Sequence, residues 1–157
     1  MRVLIFSDSH GRSFDMHRVI TNHPEAEYIL HLGDGNNEFE NLMSLFPEKK
    51  YVMVCGNNDF YSQAQNDEVV KIGGVTVFMT HGHRYGVYVS LDRLKRAAAK
   101  YDARVILYGH THMTDYRYEQ GVYIMNPGSI SQPRMSRKSY GFIDITGGSV
   151  FCGISEL

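Results

Sequence analysis

Short apolar runs alternate along the chain with stretches whose apolar residues recur every three or four positions. That is the pattern of strands alternating with amphipathic helices. Val3-Leu4-Ile5-Phe6 predicts a buried strand. Met16, Val19 and Ile20 then share one helix face, with Ser13 placed to cap that helix and Asn22-His23-Pro24 placed to end it. Tyr28–Leu32 predicts a second strand. A second helix follows, capped by Asn36 or Asn37, with Phe39, Leu42, Met43 and Phe46 on one side. Tyr51-Val52-Met53-Val54 predicts a third strand.

Further along, antiparallel signals take over. Val69–Ile72 and Val75–Met79 flank Gly73-Gly74, a pair suited to a two-residue hairpin turn that requires positive φ. Leu91, Leu94, Ala98 and Tyr101 mark one face of a third helix, and Val105–Tyr108 predicts another buried strand. The last third reads as hairpins over 115–119, 122–125, 141–145 and 149–154. Crossovers first and antiparallel pairs later imply two sheets face to face with helices outside, rather than one doubly wound sheet. No repeat or Pro/Gly-rich linker interrupts the 157 residues, so a single domain spanning 1–157 is expected, long enough to bury its own core.

The residues that follow the strands carry the chemistry. Ser7-Asp8-Ser9-His10 follows the first run and Gly33-Asp34 the second. Cys55 and then Gly56-Asn57-Asn58-Asp59 follow the third. Thr80-His81-Gly82-His83 and Gly109-His110-Thr111-His112 follow two later runs. In layered α/β folds, ligands gather beyond the carboxyl ends of strands. Five loops meeting there would supply Asp8, His10, Asp34, Asn57, His81, His110 and His112. In extended backbone, residues i and i+2 point the same way, so Asp8 with His10, and His110 with His112, are each expected to reach one ion together. Seven mixed oxygen and nitrogen ligands are too many for one tetrahedral zinc and suit two adjacent ions with a bridging carboxylate. Imidazole, carboxylate and amide oxygen without thiolate favour Mn²⁺, with Fe, Zn or Ni as alternatives, over Cu(I) or Ca²⁺.

Charge and composition narrow the function classes. Sixteen Lys+Arg balance 17 Asp+Glu, which argues against a general nucleic-acid binder. A hydrophobic content of 43% argues against disorder. No run approaches the ~18 apolar residues of a membrane span, and Val3–Phe6, cut off by Asp8, is too short for a signal core. Cys55 and Cys152 match no disulfide or thiol-metal framework. A reducing cytoplasm fits these features.

Taken in order, Asp8-x-His10, Gly33-Asp34, Gly56-Asn57-Asn58-Asp59, His81 and Gly109-His110-x-His112 resemble the motifs of the calcineurin-like metallophosphoesterases. Thr80–Arg84 and Asn126-Pro127-Gly128-Ser129 look like the small bacterial and archaeal phosphodiesterase branch, which is related to the vacuolar sorting subunit 29 of retromer, a scaffold protein. The resemblance implies a four-layer αββα sandwich. It implies one ion on Asp8, His10, Asp34 and His112, and a second on Asp34, Asn57, His81 and His110, with Asp34 bridging. It also implies hydrolysis of small organic phosphodiesters by a water ionised between ions about 3.5–4 Å apart. A phosphomonoesterase, a nuclease and a non-catalytic binding scaffold share the same frame.

The chain departs from many relatives at Asn58, where they carry a His that helps the leaving group depart. Asn58 cannot donate a proton as an acid, so slow turnover or an undemanding leaving group is expected. Asn58, Asp59 and His83 are the remaining candidate catalytic residues. Asn58 would hydrogen-bond a phosphate oxygen, and His83 would reach in beside His81. Asp59 would orient a ligand, although a plain loop hydrogen bond explains it equally well. His31 reads as a packed core residue, and His17 and His23 as surface helix residues. Arg12 and Arg134 read as solvated loop residues, and Arg134–Lys138 as a charged turn too short to argue for nucleic acid. Tyr85, Tyr88, Tyr116, Tyr118 and Tyr123 are expected to line the core or a sheet face. The edge hairpins leave a homo-oligomer open.

Overall fold

The computed structural model describes residues 1–157. Along the chain come β1 (Arg2–Phe6), α1 (Phe14–Asn22), β2 (Ala26–His31), α2 (Asn36–Leu45), β3 (Lys50–Met53), β4 (Asp67–Ile72) and β5 (Val75–Thr80). After a 3-10 turn at His83–Tyr85 follow α3 (Asp92–Ala99), β6 (Val105–Leu107), β7 (Thr114–Glu119), β8 (Val122–Pro127), β9 (Ser139–Thr146) and β10 (Ser149–Glu156). The strands form two five-stranded sheets, ordered β10-β9-β1-β2-β3 and β4-β5-β6-β8-β7. β1, β2 and β3 run parallel, as do β5, β6 and β8, and antiparallel strands complete each sheet.

Strand alternation sorts the apolar residues into three layers of contact. Val3 and Ile5 turn inward and meet Val77, Met79, Leu107 and Met125 between the sheets. Leu4 and Phe6 turn outward, against Met16, Val19 and Ile20 of α1 and Phe39 and Leu42 of α2. On the far side Phe78, Ile106 and Ile124 pack under Leu94 and Ala98 of α3. The result is the expected αββα sandwich. Full burial of such a side chain contributes roughly 1.5–3 kcal/mol, so the largest cluster, the one between the sheets, dominates their docking. None of the helices is long and apolar enough to cross a membrane.

Several local expectations need correction. Ser13 occupies the N-cap position of α1, but its φ and ψ of −87° and −18° are helical and its hydroxyl makes no cap bond. Neither Asn36 nor Asn37 caps α2. Gly35 takes the N-cap position, and Asp59 accepts from the Gly35 and Asn36 N–H groups at 2.9 and 3.0 Å. His23 is no plain surface residue: it ends α1, and its ring nitrogens lie 3.0 Å from the Tyr140 hydroxyl and from Glu25. Tyr101 lies past the end of α3. His31 is fully buried, as expected, with Nε2 3.0 Å from Ser9 Oγ and its ring against Phe39. Gly73 and Gly74 both take positive φ and close the β4–β5 hairpin.

Candidate metal centre

The strands that precede the candidate ligands are parallel within each sheet, so their loops open at one end of the sandwich. There the structure brings the ligands together. Asp8 Oδ1 lies 3.2 Å from His112 Nε2, 3.9 Å from His10 Nε2 and 4.0 Å from His81 Nε2. Asp34 Oδ2 lies 3.5 Å from His81 Nε2 and 3.9 Å from His10 Nε2. Asn57 Oδ1 is 3.1 Å from His81 Nε2. Two tight groups result, Asp8 with His10 and His112, and Asp8 with Asp34 and His81. Asp8 is common to both, whereas the resemblance gives the shared place to Asp34. His110 stands at the edge, its ring 5.1 Å from that of His81, while its backbone N–H donates to Asp8 Oδ2 at 3.1 Å.

The i, i+2 reasoning from extended backbone does not hold. Asp8, His10, Asp34, His110 and His112 have φ of 56°, 45°, 58°, 71° and 60°, the left-handed region that side chains with a Cβ seldom enter. The paired residues converge through tight turns, and this local strain is held in place by the surrounding contacts. Glycine is required where two of these turns meet. A Cβ on Gly33, at φ 94°, would stand 2.5 Å from the Gly56 nitrogen and 2.7 Å from its Cα.

The donor set fits divalent cations. His81 Nδ1 lies 2.7 Å from the Leu32 carbonyl, and His112 Nδ1 lies 2.7 Å from the Gln132 carbonyl. A carbonyl only accepts, so Nδ1 carries the proton in both rings and a neutral ring turns the Nε2 lone pair inward. Those lone pairs face carboxylate and amide oxygens and the Nε2 of His10, which lies 3.1 Å from that of His112. Asp8 and Asp34 are 0% and 3% exposed, and buried Asp8 Oδ1 has no hydrogen-bond partner. Acceptors converging on one another without donors call for a cation.

The electrostatics agree. Burial pushes the Asp8 carboxyl up, but the contact with His112, then His81 and the Ser7 hydroxyl, outweigh it and hold its pKa below the ordinary value. Once protonated, His112 could donate to the Asp8 carboxylate 3.2 Å away, and that raises its pKa. Burial, then the neighbouring His81, lowers those of His110 and His83.

The three candidate catalytic residues play different parts. Asn58 lies against Asp34: its backbone N–H donates to Oδ1 at 2.8 Å and its Nδ2 to Oδ2 at 2.5 Å. Asp59 points away from the ligand cluster, its two oxygens accepting from the N–H groups of Asp34, Gly35, Asn36 and Gly56 at 2.7–3.0 Å. These bonds tie the loop after β3 to the turn that carries Asp34. Burial raises the pKa of Asp59, but those four donors outweigh burial and hold it below the usual carboxylate value. His83 lies beside the site, its ring 5.4 Å from that of His81. It gets there through the left-handed Gly82 and the 3-10 turn, not by strand alternation.

Other contributors lie outside the expected ligand set, although the Asn126–Ser129 run stood out in the sequence. Ser7 Oγ donates to Asp8 Oδ2. Ser129 Oγ donates to the Asp8 carbonyl, and Ser131 Oγ bonds the carbonyls of Asp8 and Ser9. Asn126 braces the other side, with Nδ2 donating to the Gly109 carbonyl at 2.9 Å and Thr111 Oγ1 at 3.0 Å. A sixth loop, after β8, therefore joins the five expected. Tyr88, expected in the core or on a sheet face, is half exposed at the site's rim, its hydroxyl 3.3 Å from the His110 carbonyl. Arg134, read as solvated, donates to that hydroxyl at 2.7 Å.

Acidic and imidazole groups crowded at the mouth of a double-sheet sandwich are the equipment of a metal-dependent phosphoester hydrolase. Comparison with known proteins agrees. The model of the calcineurin-like phosphoesterase superfamily domain matches residues 1–148. The chain belongs to that superfamily. The probable metallophosphoesterase YsnB of Bacillus subtilis strain 168 is 33% identical over 147 residues, covering 92% of this chain and 85% of YsnB. The phosphodiesterase MJ0936 of Methanocaldococcus jannaschii is 27% identical over 149 residues, covering 82% and 83%. Among solved structures, an uncharacterized predicted phosphoesterase from Streptococcus pneumoniae TIGR4 superposes with a TM-score of 0.83 at 28% identity, covering 98% of this chain and 87% of that one. Vps29 from Entamoeba histolytica, in complex with Zn²⁺, shares the fold with a TM-score of 0.75 at 23% identity, covering 99% and 98%.

Proposed function

We propose that the chain hydrolyses small organic phosphodiesters, with two divalent cations held by Asp8, His10, Asp34, Asn57, His81, His110 and His112. The observation that carries this reading is the unpartnered, buried Asp8 Oδ1 among inward-facing imidazole nitrogens. A phosphodiesterase among the relatives supports the diester over the monoester. Bound there, divalent cations would supply Lewis acidity and lower the pKa of a water to serve as nucleophile. The chain's own part is positioning and charge. Leu32 and Gln132 fix the tautomers of His81 and His112, and Ser7 and Asn58 hold the two carboxylates in line. The Asn58 amide does not titrate and supplies no acid for the departing alkoxide, so substrates with good leaving groups are favoured. Mn²⁺ is the first choice of metal, and the reducing cytoplasm the proposed compartment.

The test is steady-state hydrolysis of bis(p-nitrophenyl) phosphate, p-nitrophenyl phosphate and single-stranded DNA with Mn²⁺, Fe²⁺, Zn²⁺ or Ni²⁺, before and after chelation. Diester turnover that a chelator abolishes and Mn²⁺ restores is the expected result. Faster monoester or DNA cleavage overturns the diester assignment. No turnover with any of the four metals favours the scaffold reading.

A further inference from the structure

The two rims of the candidate metal centre differ in charge. On the first sheet's side a cleft of about 440 Å³ runs from His10 and Asp34 past Glu38 and Asp59 to Phe60 and Tyr61, an exposed aromatic pair. Three carboxylates line it, and no Lys or Arg does. The rim on the second sheet's side, by His110 and His112, carries Arg134. Two anchors place that residue. Its backbone N–H donates to the His112 carbonyl at 2.9 Å, and the same turn supplies the Gln132 carbonyl that fixes the His112 ring. Its Nη1 donates to the Tyr88 hydroxyl at 2.7 Å. That hydroxyl in turn donates to the His110 carbonyl at 3.3 Å, and the Tyr88 ring stands edge-on to the His110 ring, with centroids 5.1 Å apart.

A guanidinium carries five N–H donors. One goes to Tyr88, and the other four make no bond within the protein. Arg2, Arg18, Arg117 and Arg137 are each paired with a carboxylate, whereas Arg134 has none. Arg12 and Arg84 also stand in ligand-bearing loops, but only Arg134 has its side chain held. A tethered, unpaired fork of donors at the rim of a cation site suits the oxygens of a phosphoryl group.

We propose that Arg134 is a substrate-contacting residue: its guanidinium, tethered by Tyr88, takes a non-bridging phosphoryl oxygen of the substrate. The substrate is a phosphodiester on the strength of the reading above. Negative charge grows on that oxygen as water adds to phosphorus, so the contact strengthens in the transition state, and its loss falls on kcat as well as KM.

The test is steady-state hydrolysis of bis(p-nitrophenyl) phosphate by R134Q, R134K, Y88F and R137Q, each with its metal content measured. All of them keep the backbone N–H that ties residue 134 to His112. R134Q should lose about 10–100-fold in kcat/KM at unchanged metal content. R134K should recover only part of that, since a point charge lacks the fork. Y88F should cost about threefold, and R137Q, whose arginine is paired with Glu156, should cost nothing. Guanidinium ion at millimolar concentration should restore part of the activity of R134A, which a merely structural role would not allow. R134Q within about twofold of wild type, R134K equal to wild type, or a loss that tracks metal content overturns the proposal while leaving phosphodiesterase activity standing. So does a larger R134Q penalty on a carboxymethyl p-nitrophenyl diester than on the methyl one, which would assign the guanidinium to an anionic arm. If none of the diesters is hydrolysed, calorimetric titration of the Zn²⁺-loaded protein with inorganic phosphate decides it independently. Binding about tenfold weaker in R134Q supports the contact, and equal binding sinks it.

Discussion

The two sheets contribute unlike halves of the candidate metal centre. Loops of the first sheet bring both carboxylates, the amide of Asn57 and one imidazole, His10. Loops of the second bring only imidazoles, His81, His110 and His112. The carboxylates are held by donors, Ser7 and the His110 N–H on Asp8 and Asn58 on Asp34. His81 and His112 are held at the far nitrogen by carbonyl acceptors. One half therefore supplies fixed negative charge, and the other aims neutral lone pairs. Neither suffices alone: the carboxylates would stay buried and uncompensated, and imidazoles without them would attract protons as readily as metal.

Removing charge from the first half should have the largest effect. Asp34→Asn keeps the shape and should cost at least about 10³-fold in kcat/KM, with metal content by elemental analysis falling in parallel. Activity within tenfold of wild type would show that Asp8 alone carries the shared charge. Next in size is Asp59→Ala, which touches no ligand side chain but frees four N–H groups. It should lower stability by roughly 2–4 kcal/mol in urea unfolding. Metal affinity should fall about 10–100-fold by titration, because the turn that carries Asp34 is no longer held. Unchanged affinity would make Asp59 a helix cap and nothing more.

Asn58→His should act more gently and in the opposite sense. It restores an acid and gives up a bond to Asp34, so turnover of diesters with poor leaving groups should rise by about tenfold while p-nitrophenyl diesters gain little. Equal changes for both would remove leaving-group protonation from the account.

The smallest effect separates the halves by pH. In metal-free protein the pKa of His112 is raised because its protonated ring can donate to Asp8. That stabilisation is complete below the ordinary imidazole pKa and is lost as pH rises through the raised value. Cation binding needs the same ring unprotonated, so with Mn²⁺ present the dependence should reverse and stability should grow over this range. Melting temperatures between pH 5 and 8 should rise more steeply with Mn²⁺ than without it, by a few degrees over the range, because the metal-free protein sets the raised pKa of His112 against the lowered ones of His31, His83 and His110, and His112→Gln should remove that opposing share. Parallel slopes would mean that the second half is not read by the metal.

Strands and layers were legible because period-two alternation forces Val3 and Ile5 to one face and Leu4 and Phe6 to the other. The candidate ligands were legible because each follows an apolar run. Their backbone was not: positive φ at Asp8 or His112 depends on the serines, carbonyls and glycines packed around it, and these come from five or more distant segments. Asp59 stood three residues past Gly56, yet its role as cap of α2 appears only when the loop after β3 folds over the loop after β2. Asn126 and Ser129 stood out as a run, but their work of pinning the loops after β1 and β6 is a matter of tertiary contact. The aromatic pair at Phe60 and Tyr61 resembled any other loop residues until the cleft beside them was visible.

His81 stands on the second sheet while its Nδ1 is fastened to Leu32 of the first, and its other nitrogen faces Asp34, also of the first. The ring works as a toggle bolt through the seam of the sandwich. Grip on a cation and closeness of the two slabs are then a single mechanical variable, so anything that prises the seam apart, from heat to a wedge-shaped inhibitor, should release metal before the strands themselves come undone.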